Sequence, residues 1–198
     1  MLGSINPLGE RGRRSRWAVT VAAFVAGSAA AGLAAGLLLG AAGSLVVSHV
    51  SAGVRAVALA AVVAVGAAWE GRIGGHGLPG PRRQVNEDWL ARYRGWVYGL
   101  GFGLQLGLGL ATIVTTSAIY AALAAAFLSG SVARGAVIGA TFGVARALPL
   151  LAGHRIRRAA DLLTLDSALR RWDARARFAG VGVQLAVAAA ILVPAAAR

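Results

Sequence analysis

The chain lacks cysteine and lysine altogether, and it carries only seven acidic residues and three histidines. Without cysteine there is no disulfide, no thiolate metal site and no thiol redox relay. The three histidines, His49, His76 and His154, lie far apart in the sequence, so a self-contained zinc or haem site is not expected, and no cofactor or metal is assigned. Charge is scarce as well. Only 14% of residues are charged, against about 25% in soluble domains. All the basic residues are arginine and give a net charge of +13. With the excess of alanine and glycine, this use of arginine points to a GC-rich, bacterial genome.

What is present instead is apolar sequence in long blocks. The chain has 198 residues, 58% hydrophobic, with a mean hydropathy of +0.69. The block Trp96–Gly130 holds no charged residue and exceeds the roughly 20 apolar residues needed to cross a bilayer. The arginines cluster at the ends of such blocks, where the positive-inside rule places them, so membrane insertion rather than nucleic-acid binding accounts for the basic charge. The fold expected is an all-α, polytopic membrane bundle of about five spans: 17–47, 55–69, 96–128, 135–152 and 178–197. A basic cytoplasmic tail, 1–16, precedes a single transmembrane domain, 17–198. Arginine-rich segments recur before span one and after spans two and four, which sets the N-terminus inside and the C-terminus outside a bacterial cytoplasmic membrane. A cleaved signal peptide is disfavoured, because a signal core runs only about 7–15 residues and this apolar run continues from Trp17 to Val50.

Two cytoplasmic amphipathic helices are expected. One covers 86–95, opened by Asn86 with Glu87 and Asp88 in its first turn. The other covers 157–176. It carries Leu162, Leu165, Leu169 and Trp172 at alternating three- and four-residue spacing, and Arg155, Arg157 and Arg158 stand at its start. That stripe suits anionic lipid headgroups or a partner helix. In the first span Gly27, Gly32, Gly36, Gly40 and Gly43 recur about every four residues, which lets another helix approach closely. Trp17 and Arg55 have the same separation as Trp96 and Arg134, a weak internal repeat. Blocks one and three are each roughly 50 Å long as helix, against a hydrocarbon core of about 30 Å. Tilt, a glycine break or a re-entrant hairpin would each absorb the excess.

Few residues could carry chemistry. Arg146 falls inside the fourth span, where a charge needs a partner or water. Gln105 and Gln184 fall at similar depth in spans three and five, in the related settings Gly103-Leu104-Gln105-Leu106 and Gly182-Val183-Gln184-Leu185. Their carbonyls could accept from the guanidinium. The three would form either a polar, anion-attracting pocket or a structural network, unless Arg146 snorkels to the headgroups. Thr112, Thr115, Thr116 and Ser117 form a second polar patch, whose hydroxyls line a pathway or bond their own helix. His49 and Arg55 are expected to be solvated. No carboxylate lies inside an apolar block, so the usual acid–base pair is missing and no enzyme is expected.

Phe142-Gly143 and Arg146-Ala147-Leu148-Pro149-Leu150-Leu151, with the Gly-rich third block and the turn at Gly130, resemble the cytochrome c biogenesis CcdA/DsbD transmembrane family. The likeness covers roughly 96–153 and implies duplicated helical hairpins with broken first helices. That family's paired redox cysteines are absent, so its electron transfer does not carry over. The sequence therefore leads to a non-catalytic membrane protein, a subunit or assembly factor of a larger complex. Its expected partners are the bilayer, anionic headgroups and other membrane subunits or a second copy. The alternative is a small-solute transporter or channel built on Arg146, Gln105 and Gln184.

Overall fold

The structure, a computed structural model, describes residues 5–12, 15–71, 89–109 and 116–196. Every regular element among them is helical. These are α1 (Pro7–Gly12), α2 (Trp17–Val46), α3 (Ala52–Glu70), α4 (Trp89–Arg92), α5 (Gly95–Gly107), α6 (Ala118–Leu128), α7 (Val132–Ala147), a 3-10 helix (Leu148–Arg155) and α8 (Ala159–Ala196). Four helical stretches are long and apolar enough to cross a membrane: Trp17–Val46, Ala52–Glu70, Val132–His154 and Ala160–Val193.

Helix α2 is the axis of the fold, because its glycines let two neighbours reach its backbone. On one side Gly99, Gly103 and Gly107 of α5 meet Thr20, Phe24 and Ser28 in turn, so α5 runs parallel to α2. On another side Gly135, Gly139 and Gly143 of α7 meet Gly36 to Gly40, Gly32 to Gly36, and Ser28, so α7 runs antiparallel. At each of these contacts a Cβ would overlap a backbone oxygen of the facing helix. Such approach maximises dispersion between backbones, which is what holds helices together where lipid removes the hydrophobic drive. Ser28 adds a buried hydrogen bond from its Oγ to the carbonyl of Gly143, 2.6 Å. The glycine faces expected to receive a partner are thus filled within the chain.

The third apolar block is not one helix. It divides into α5, of 13 residues, and α6, of 11. Gly109 leaves α5 with φ +80°, a left-handed conformation that only glycine adopts without strain. Beyond the break, α6 keeps the direction of α5: Ala122 and Ala126 border the same small cavity as Gly32, Gly36 and Leu39 of α2, and Phe127 meets Gly43. Block three is therefore interrupted at Gly109, and its described parts on the two sides run in the same direction. The first block shows no such break and is a single helix of 30 residues.

Two other segments differ from expectation. The stretch 157–176 is not a separate amphipathic helix, because α8 runs unbroken for 38 residues from Ala159 through the expected fifth span. Nothing at Arg177–Phe178 stops a helix: the run there contains neither proline nor a capping motif. The expected 86–95 helix lies partly outside the described residues, and only α4 is seen in it, ending before the new start at Gly95. In the N-terminal tail Ile5, Asn6 and Glu10 are buried. Ile5 joins the core made by Val21, Phe24, Tyr98, Phe102, Ala147 and Leu150.

Candidate functional site: the capped break in the third block

The break between α5 and α6 leaves helix ends inside the bundle, and such ends carry unpaired backbone groups and partial charge. A side chain of opposite charge meets each one. At the C-terminal end of α5, Arg146 of α7 donates from Nη1 to the carbonyls of Leu106, 2.9 Å, and Gly109, 3.2 Å. Its guanidinium also lies 5.5 Å from the Phe142 ring centre. At the N-terminal end of α6, the Glu70 carboxylate of α3 accepts from the backbone N–H of Ser117, 2.8 Å. The far end of α6 is capped too: Arg55 of α3 donates to the carbonyls of Leu128, 3.4 Å, and Ser129, 3.2 Å. Arg55 is therefore a helix cap and not a solvated residue.

Glu70 is the centre of a polar cluster joining three helices. Its Oε2 also accepts from the hydroxyls of Thr116, 3.0 Å, and Ser117, 2.6 Å, and from the amide of Gln184 on α8, 3.0 Å. Ser117 Oγ lies equally close, 2.6 Å, to Gln184 Oε1. Ser117 and Gln184 are buried. Gly66 makes the space, since a Cβ there would stand 2.9 Å from the Ser117 Cβ. Among the described residues no cation pairs with Glu70 and no carboxylate pairs with Arg146. The break is instead held by two opposite charges, one at each side, that act on helix ends.

The expected Arg146–Gln105–Gln184 constellation is thus divided. Gln184 joins Glu70, while Arg146 binds α5 backbone. Gln105 is half-buried and has no hydrogen bond among the described residues. Thr116 belongs to the Glu70 cluster, whereas Thr112 and Thr115 lie outside the described residues. Leu162 and Leu165 are half-buried, and Leu169 and Trp172 are 51% and 57% exposed. Arg157 and Arg158 donate their backbone N–H groups to the Asp161 carboxylate, 2.9 and 2.8 Å, which fixes the start of α8. Arg155 ends the 3-10 helix.

Two carboxylates escaped the sequence reading. Glu70 stands next to a Gly/Pro-rich stretch and reads as loop. Its signal was Gly66, one turn earlier on the same face. Glu10 stands in the basic tail, where no role is expected of it, yet it is buried and accepts from Thr20 Oγ1, 2.8 Å, and from the Tyr98 hydroxyl. Among the described residues no cluster of three His, Asp or Glu could hold a metal. The cavity beside the break, between α2, α6 and α7, has a volume of about 10 Å³. It is bordered by glycine, alanine, leucine and phenylalanine, and offers a water no polar partners among their side chains.

No family model matches the chain, and neither a curated protein nor a solved structure matches it.

Proposed function

We propose that this chain is a non-catalytic, multi-pass protein of a bacterial cytoplasmic membrane that works through contacts, as a subunit or assembly factor of a larger complex. One observation carries this reading: Arg146, the residue best suited to attract a solute, is committed to the carbonyl end of α5. The glycine faces are filled internally, which leaves α8 as the docking element. Its main neighbour is α3, and Leu163, Leu169 and Trp172 are exposed along it. In this reading α5 and α6 together make one broken crossing. With four unbroken ones the chain crosses five times, N-terminus inside and C-terminus outside. The likeness to the CcdA/DsbD family would then extend to scaffold architecture alone.

Purification from native membranes in mild detergent tests the proposal. A partner, or a second copy, should co-purify in fixed ratio, and the ratio should collapse when Leu169 and Trp172 are both changed to arginine. A solitary monomer in repeated preparations contradicts it.

A second reading, a small-solute transporter, has one observation in its favour. The break lies level with the middle of α2, because Gly107 just before it meets Ser28 and Ala122 just after it borders Gly32 and Gly36. Broken helices at mid-membrane are where transporters bind solutes. That reading requires Arg146 to leave its carbonyls.

A further inference from the structure

Two flanks of the molecule disagree about where the membrane ends. The level of Glu70 is a common reference. Glu70 binds Ser117, just past the break, and Gly180 of α8 lies opposite Glu70. From Gly107 back to Trp96, α5 descends about 17 Å at 1.5 Å per residue. Over that descent it exposes Trp96, Leu100 and Leu104, by 51%, 37% and 40%, with Val19 of α2 at the same height. From Gly180 back to Arg170, α8 extends about 15 Å along its own axis by the same rise. Over that length it presents Arg177, Arg175, Arg171 and Arg170.

These arginines are not buried in protein. Arg170 is 78% exposed and pairs with Asp166, Arg171 and Arg175 are exposed, and Arg177 is half-exposed. Among the described residues Arg170 alone of the four has an ionic partner. Arg175 and Arg177 lie over the rings of Trp172 and Phe178, at 5.2 and 6.0 Å from the ring centres. Arginine heads with flanking aromatic rings are the signature of a headgroup layer.

A flat membrane boundary fails on one flank or the other. Drawn at the level of Trp96, it puts four lipid-facing arginines in hydrocarbon, which is costly. Drawn at the level of Phe178, it leaves the apolar face of α5 in water. We infer that the apolar belt is stepped: on the α2/α5 flank it reaches about 15 Å further toward the N-terminal end of α2 than on the α8 flank, or half the hydrocarbon core. Phospholipid headgroups of that leaflet are drawn inward to meet Arg170, Arg171, Arg175 and Arg177. The bilayer thins there, a known response to mismatched apolar length. The occupant of this face is anionic lipid, by charge complementarity with the four guanidinium groups. The inference rests on membrane insertion of the chain, but not on its being a subunit.

The absence of native cysteine gives a clean test. Single cysteines are placed at Leu100 and Leu104 on α5, at Leu169 and Ala174 on α8, and at Leu38 on α2 as a lipid-facing control. Each protein is reconstituted in phosphatidylcholine/phosphatidylglycerol vesicles opened to both sides and treated with a charged maleimide. L169C and A174C should label at least about tenfold faster than L100C, L104C and L38C, because thiolate attack needs water. Equal labelling of L100C and L169C, or protection of L169C and A174C to the level of L38C, overturns the step. Fast labelling of L38C overturns membrane insertion itself. The lipid part has its own readout. Changing Arg170, Arg171, Arg175 and Arg177 to glutamine should reduce retained phosphatidylglycerol by about half relative to phosphatidylcholine. An unchanged ratio removes the headgroup assignment.

Discussion

Arg146 on α7 and Glu70 on α3 hold the two sides of one break: the guanidinium caps the carbonyl end of α5, and the carboxylate caps the N–H end of α6. Each charge is opposite in sign to the helix end it meets. An interrupted helix inside a bundle needs such partners, because buried backbone groups without them cost free energy.

Removal of the positive cap should therefore weaken the fold. Arg146→Gln shortens the reach to Leu106 and Gly109 and removes the charge, with an expected loss of about 1.5–3 kcal/mol. Thermal unfolding in detergent reads this as a lowered midpoint. Arg146→Lys should recover part of the loss, since one ammonium can serve one carbonyl well. Equal stability of all three proteins would show that the cap contributes nothing.

The Glu70 cluster should behave as a unit. Ser117→Ala and Gln184→Ala remove groups that touch both Glu70 and each other. Their effects should be non-additive, with a coupling of about 0.5–3 kcal/mol in a double-mutant cycle. Additivity within error would mean that the three helices are held together by packing alone.

Glycine replacements should divide sharply by position. A valine at Gly36 or Gly139 forces α2 and α7 apart, because a Cβ already overlaps the facing backbone. Neither variant is expected to give folded, monodisperse protein. Gly182→Ala meets nothing within 4 Å and should stabilise α8 by about 0.5–1 kcal/mol through helix propensity. Size-exclusion profiles and unfolding midpoints check both outcomes.

The turn between α6 and α7 gives a fourth prediction. Gly130 has φ +58°, and a Cβ there would lie 2.7 Å from Arg55 Nη1. Gly130→Ala adds left-handed strain of about 1–2 kcal/mol and displaces the Arg55 cap. Arg55→Met should cost a similar amount and remove the cap-displacement part of the Gly130→Ala effect, leaving only the left-handed strain for Gly130→Ala to add. Full additivity of the two would separate the turn from the cap.

The sequence carried some of this plainly and hid the rest. Glycines of block one, spaced at about four residues, marked the packing face of α2, because helical geometry stacks such positions. In block three, Gly99 to Gly109, a glycine break was one of three open choices, since nothing local distinguishes a packing glycine from one with positive φ. Depth could be estimated for Arg146, Gln105 and Gln184, but helical rise gives height and not direction around the bundle. Arg146 turns toward α5 and Gln184 toward α3 and α6, so equal depth did not bring them together. Glu70 was hidden by its neighbours: the Gly/Pro-rich run after it is evident, whereas the tertiary contact that captures it is not. The join between the amphipathic stretch and the fifth span was also illegible, because polarity changes at Arg177 while helix propensity does not.

The central claim is that the charges at the break serve the fold and not a solute. Flux of small anions and neutral solutes into protein-containing liposomes, measured beside unfolding midpoints for the native chain and Arg146→Gln, tests it most directly. The expected result is flux no greater than in empty liposomes for both proteins, with a lower midpoint for the variant. A solute flux carried by the native chain and abolished in a stably folded Arg146→Gln protein would contradict it.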